Sequence, residues 1–165
     1  MNLLELFDNA KKLAAWRVNY AQNDGWNLTQ LIPYVGTKTI LAQGTCHGYT
    51  QENVKHVVDI QFQNIKFFDE PPEQGEYGTI EYKEENYYFI KPTLETDVKI
   101  RCSCNDFRFR SSWWAWKQKC IFGGPPKAYK RKTKNRPPVN KLKIPFLCKH
   151  LVSFQSYLHV HKYLA

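Results

Sequence analysis

No stretch of the 165-residue sequence approaches 18 uncharged apolar residues, which excludes a transmembrane helix. The sequence also lacks a phosphate-cradling glycine loop, an HExxH pair and a GxSxG elbow. The usual nucleotide-hydrolysing, metalloprotease and serine-hydrolase arrangements are therefore without their residues. The opening, MNLLELFDNAKK, has Glu5 and Asp8 where a secretory leader carries basic residues ahead of an apolar core. The expectation is a soluble chain kept in a cytoplasm-like compartment until it assembles. Acids are nearly missing from the second part: residues 99–165 contain Asp106 alone against 16 lysines and arginines. Carboxylates are plentiful in residues 69–97, but within polar loop and hairpin sequence that suggests no protected acid/base pair.

What is present argues for a folded chain. Apolar residues make up 42% and aromatics 15%, with ten Phe, ten Tyr and five Trp, enough for a core in one ordinary domain or two small ones. The net charge of +9 divides into −6 for residues 1–98 and +15 for residues 99–165. A split of this kind suggests two functional regions, the second facing something anionic, although a solvated basic face accounts for charge equally well.

The first segment reads as a helix. Asn2 followed by Glu5 is a capping-box-like start, and Leu3, Leu6, Phe7, Ala10, Leu13 and Ala14 form one apolar stripe that ends by Asn23, Asp24 and Gly25. Strands follow. TKTILAQGT is a short one, and HVVDIQFQ alternates Val58, Ile60 and Phe62 with Asp59, Gln61 and Gln63. GTIEYKEENYYFIKP is a hairpin turning over Lys83 to Asn86, after the loop DEPPEQGEYG. VKIRCSC is the last strand, followed by the aromatic run NDFRFRSSWWAWKQ. The Pro- and Lys-rich segment IFGGPPKAYKRKTKNRPPVNKLKIP cannot be a regular helix or central strand and reads as an arm or long loop. In LCKHLVSFQSYLHVHKYL, Leu151, Phe154, Leu158 and His161 mark one face of a short helix. The expected class is α+β: a small, mainly antiparallel sheet with a helix near each end. Residues 1–97 form a helix and β-rich body, and residues 98–165 a metal-binding region with the basic arm, the two free to pack as one domain.

Five cysteines, an odd number, disfavour a disulfide framework and favour thiols or metal ligands. Four candidates form two close pairs, Cys102-Ser-Cys104 and Cys148-Lys-His150. Residues two apart in a strand share a face, so Cys102 and Cys104 continue the buried row of Val98 and Ile100. Residues two apart inside a helix diverge, so Cys148 and His150 converge only if Cys148 precedes the helix and His150 lies in its first turn. Such a Cys3His set suits Zn²⁺ better than hard cations, and four protein ligands leave no open position. One structural Zn²⁺ would staple the base of the intervening 43 residues. Unligated core cysteines are the alternative.

Cys102, Cys104, Cys148 and His150 resemble the SWIM zinc-binding motif, CxCx(n)CxH, with a gap longer than is usual in that family. The wider pattern, CSCNDFRFR, FGGPPKAYKRKTKNRPP and CKHL, looks like small SWIM-type proteins encoded by tailed bacteriophages, particularly marine ones. Residues 98–155 carry the resemblance, and GTCHGYTQENVKHVVDIQF and YYFIKP extend it loosely. It implies a virion structural component, made in the host cytoplasm and assembled with other virion proteins.

Cys46-His47, between Gly44 and Gly48 in turn-like sequence, is the one candidate nucleophile or extra ligand pair, and no second pair lies nearby. Cys120 reads as a lone buried thiol, and His159 and His161 as packing or capping residues. Phe107, Phe109, Trp113, Trp114 and Trp116 interleave with Arg108, Arg110 and Lys117. Such a pattern stacks on bases and holds phosphates, but Phe107 and Phe109 packed beside the metal, with the tryptophans anchoring a core or subunit contact, is favoured. The arm residues Lys127, Lys130, Arg131, Lys132, Lys134 and Arg136 contact either nucleic acid or an acidic protein surface, such as Glu81, Glu84 and Glu85 of a neighbouring copy. The expected function is a non-enzymatic, zinc-stabilised structural protein of a tailed-phage virion, in the tail, baseplate or neck. It has no membrane or small-molecule partner, and a SWIM-type nucleic-acid-binding module is the alternative.

Overall fold

A computed structural model of the chain describes residues 1–13, 25–47, 54–127 and 140–165. Helix α1, Leu3–Leu13, begins with the reciprocal cap that its sequence announces. The Glu5 amide donates to Asn2 Oδ1 at 2.9 Å, and the Asn2 amide donates to a Glu5 carboxylate oxygen at 3.0 Å. Leu3, Leu6 and Ala10 are its buried stripe, and Phe7 and Leu13 are half-buried. Ala14, Asn23 and Asp24 lie outside the described residues.

Strands β1 (Asn27–Tyr34), β2 (Thr39–His47), β3 (Lys55–Phe62) and β7 (Val98–Cys102) form an antiparallel sheet in the order β1-β2-β3-β7. A second antiparallel sheet has the order β4-β6-β5, from Phe67–Phe68, Glu85–Ile90 and Tyr77–Tyr82. The architecture is α+β, as expected. Tyr82 pairs directly with Glu85, so the hairpin turns over Lys83 and Glu84 alone, two residues fewer than expected. Both have positive φ, 53° and 67°, the backbone of a two-residue type I′ turn whose twist matches the flanking strands.

Register decides which side chains share a face. Ile40, Phe62 and Val98 form one row across β2, β3 and β7; Ala42, Ile60 and Ile100 form the next; Gly44, Val58 and Cys102 form the third. This face joins Leu3 and Leu6 of α1 and Leu151, Phe154 and Leu158 of helix α3, Lys149–Val160, in one continuous core. Gly44 has a packing reason to lack a side chain. A Cβ there would stand 2.2 Å from Phe154 Cε2, so the missing carbon lets α3 sit down on β2. The Trp26 ring packs against Phe154 at 5.0 Å, and its indole N–H donates to Ser153 Oγ at 2.7 Å.

After β7 the aromatic run coils into a π-helical turn, Phe107–Ser111, continuous with a short helix α2, Ser112–Lys117. Its inward face is Phe107, Ser111, Ser112 and Ala115. The chain then returns along the outer edge of β7, where the Ile100 amide donates to Cys120 O and the Phe122 amide to Ile100 O. The expected division at residue 98 therefore falls within one sheet, since β7 is hydrogen-bonded to β3.

Candidate metal centre

The third core row ends in Cys102, and the chain turns sharply there. Ser103 ties the turn to β3 twice: its amide donates to Val57 O at 2.9 Å, and its Oγ accepts from the Val57 amide at 2.9 Å. This pinning turns Cys104 back over Cys102. The Cys104 amide donates to Cys102 Sγ at 3.4 Å, and the Phe107 amide donates to Cys104 Sγ at 3.3 Å. Backbone N–H groups aimed at sulfur stabilise thiolate, the form that binds metal.

The second pair arrives on a differently built support. Ser111 Oγ donates to Phe146 O at 2.7 Å and accepts from the Phe146 amide at 2.9 Å. Asn140 Nδ2 donates to Arg110 O and Ile144 O, and Asn9 Nδ2 donates to Pro145 O at 3.0 Å. The segment 144–147 is thereby held between α1 and the π-helical turn. Cys148 follows in extended conformation (φ −70°, ψ 166°) as the residue before α3, and His150 lies in the first turn of that helix. This is the arrangement that lets residues two apart converge.

Cys102, Cys104, Cys148 and His150 present ligand atoms that all lie within 4.8 Å of one another. His150 Nδ1 is 3.9 Å from Cys102 Sγ. The three thiols are buried and the imidazole is half-buried. This Cys3His cluster can hold a metal ion, and it is the one such cluster among the described residues. Burial pushes the thiols of Cys102 and Cys148 well up. Hydrogen bonds from Cys102 and then Cys148 hold Cys104 far below the ordinary thiol range. A metal binds all three sulfurs as thiolates, so its arrival at this set displaces protons.

One residue that sequence reasoning passed over, His56, lies against the cluster. The His56 ring lies 4.2 Å from that of His150, and His56 pairs across the sheet with Cys46. Burial, then the charge of neighbouring His150, lowers the His56 pKa. Cys46 lies in β2 rather than in a turn, and burial, then the charge of Cys104, pushes its thiol up to about 11. The alternation of ILAQGTCH would have placed Cys46 on the core face, but its pairing with His56 depends on register that no local signal reveals. Gly48 lies outside the described residues. Cys120 is a buried thiol against Met1 Sδ at 3.8 Å, raised to about 11 chiefly by burial. His159 lies exposed near the end of α3, and His161, one residue beyond the helix rather than on its buried face, packs on Tyr157 at 4.2 Å.

The aromatic run divides differently from expectation. Phe107 is buried beside Cys104, but Phe109 is 43% exposed. Trp113 and Trp114 are half-buried and Trp116 is 37% exposed, so none fills the core; a six-residue helix turns its small residues inward instead. The Lys117 ammonium lies over both Trp113 and Trp116, 5.4 and 5.3 Å from the ring centroids. Lys127 is exposed on the wall of a cleft of about 610 Å³ near Cys102. Lys130, Arg131, Lys132, Lys134 and Arg136 lie outside the described residues. No described helix is long and apolar enough to cross a membrane. Comparisons with protein-family models, curated proteins and solved structures found no match.

Proposed function

We propose that the chain is a non-enzymatic structural protein stapled by one Zn²⁺, of SWIM type, that builds part of a tailed-phage virion and meets neighbouring subunits through its basic region. The observation that carries the metal part is the closed donor set. With Zn–S of about 2.3 Å and Zn–N of about 2.0 Å, tetrahedral coordination puts sulfur and nitrogen about 3.5 Å apart and two sulfurs about 3.8 Å apart. The 3.9 Å between Cys102 Sγ and His150 Nδ1, and the 4.8 Å limit on the whole set, need only a small contraction onto the ion. Three thiolates and an imidazole favour zinc over calcium or magnesium, and four protein ligands leave no vacancy for an activated water. Zinc here fixes β7, the π-helical turn and α3 to one point. The virion assignment rests on the resemblance of the motif and its flanking sequence.

Metal analysis of the purified chain tests the staple: about one zinc per chain is expected, and a small fraction of one would overturn it. Stoichiometric recovery of the chain in purified particles tests the assignment. The nucleic-acid reading is favoured by one arrangement, Lys117 above the half-buried Trp113 and the exposed Trp116. It predicts binding to single-stranded oligonucleotides that falls steeply with salt.

A further inference from the structure

The molecule is electrically polar. Residues 69–85 hold seven acids and one base, Lys83, whereas residues 99–127 hold seven bases and one acid, Asp106. The fold places these groups on different sides. β5 packs beside β1, at one edge of the four-stranded sheet, and β7 forms the other edge. At the β7 side lies the cleft of about 610 Å³, lined by Asp59, Arg101, Ser103, Arg108, Pro126 and Lys127 among others. Arg101 shapes its wall, donating to Phe122 O at 2.6 Å and Gly124 O at 2.7 Å. Arg108 and Lys127 are exposed, and neither has an ion-pair partner among the described residues.

The acidic side offers the complementary charge. Glu81, Glu84 and Glu85 stand exposed around the two-residue turn of the β5–β6 hairpin. Glu85 accepts from the Tyr87 hydroxyl, and Glu81 and Glu84 have no ion-pair partner among the described residues. A tight hairpin is already ordered, so docking it costs little conformational entropy.

We infer that the β5–β6 hairpin tip of one copy of this chain seats in the Arg108–Lys127 cleft of a second copy. The lining favours a protein tip over a phosphate backbone, since Val57, Ile121 and Pro126 set apolar wall beside the cations. Because the two surfaces differ, the contact is heterologous. Each copy keeps one unused surface, so the contact repeats into a ring or a filament. The inference deepens the structural reading and rests on it for the metal that holds the β7 side of the cleft.

Sedimentation velocity on the full chain, with zinc measured in the same samples, tests it. Self-association is expected at low ionic strength and should vanish at about 0.5 M salt, where charges are screened over a few ångströms. Glu81→Lys with Glu84→Lys, and separately Arg108→Glu with Lys127→Glu, should each weaken it at least about tenfold. An equimolar mixture of the two variants should restore it, because each keeps the surface that the other needs. A wild-type chain that stays monomeric at low salt, or a mixture that fails to associate, overturns the inference. So does a cleft variant that self-associates normally and loses only affinity for a single-stranded oligonucleotide. Zinc-free chains that pass the mixing test would refute the zinc reading alone, and zinc-loaded monomers would refute this inference alone.

Discussion

The two ends of the core face of the four-stranded sheet are built from different chemistry. At one end the row Ile40–Phe62–Val98 is joined by Phe89 from the second sheet and by Leu158 and Tyr163 from the end of the chain. At the other, the row Gly44–Val58–Cys102 gives way to the pair Cys46–His56, and α3 closes over it with Cys148 and His150. Burying a Phe or Leu side chain stabilises a fold by about 1.5–3 kcal/mol with nothing added from outside. Thiols and an imidazole bury little apolar area, and their contribution comes when a metal joins them. With the proposed metal bound, one end of the sheet gains a support that the other end does without.

The largest expected effect separates the ends outright. Cys148→Ala, or a strong chelator, should release the metal and expose the amides of Cys104, Phe107 and Val152 to hydrogen exchange. Amides around Ile40 and Phe62 should stay protected. Cys46→Ala should keep the metal, since Cys46 is no member of the cluster. Simultaneous loss of protection at both ends would break the comparison.

Phe89→Ala should act in reverse, costing about 3–5 kcal/mol in urea unfolding while leaving metal affinity within a factor of a few. Gly44→Ala sits between the two ends. Its methyl must push Phe154 and therefore α3 off the sheet, costing about 1–3 kcal/mol. Because α3 carries His150 in its first turn, the same variant should weaken metal binding in a chelator competition. Loss of stability with unchanged affinity would mean that α3 adjusts independently of its N-terminal end.

The smallest effect lies on the opposite face. Burial raises the pKa of Asp59 above the ordinary carboxylate value, against the opposing pulls of the Gln43 hydrogen bond and the charge of Arg101. A carboxyl group whose pKa is raised in the fold costs nothing in acid, where both states are protonated. The cost appears as pH rises through the unfolded value and is complete above the folded one. Asp59→Asn should therefore stabilise the chain at neutral pH, with the gain shrinking as pH falls through the carboxyl range. Urea midpoints at several pH values check this, and a gain that persists in acid would assign it to packing.

How far the sequence could be read depended on how local the deciding physics was. The Asn2–Glu5 cap, the alternation of β3 and the β5–β6 hairpin depend on residues a few positions apart, and each formed. The convergence of Cys102, Cys104, Cys148 and His150 was legible because two short spacings constrain two local geometries. β1 was missed: NLTQLIPY does not alternate cleanly, includes Pro33, and pairs with a register shift between Leu28 and Gln30. Its strand character comes from β2. The Ser103 and Ser111 anchors and the His56–His150 contact went unread for a related reason, since each joins segments tens of residues apart and leaves no local periodicity.

The paired anchoring on either side of the cationic segment has a practical consequence for length. Gly124 is held by Arg101, and Asn140 is held against Arg110 and Ile144. The ends of the span between them are therefore placed by contacts that do not involve its own sequence. Joining two fixed points through a longer loop costs little, about 0.6 kcal/mol of closure entropy for each doubling of loop length. A reporter peptide inserted between Gly124 and Asn140 should therefore leave the Cys3His cluster in register.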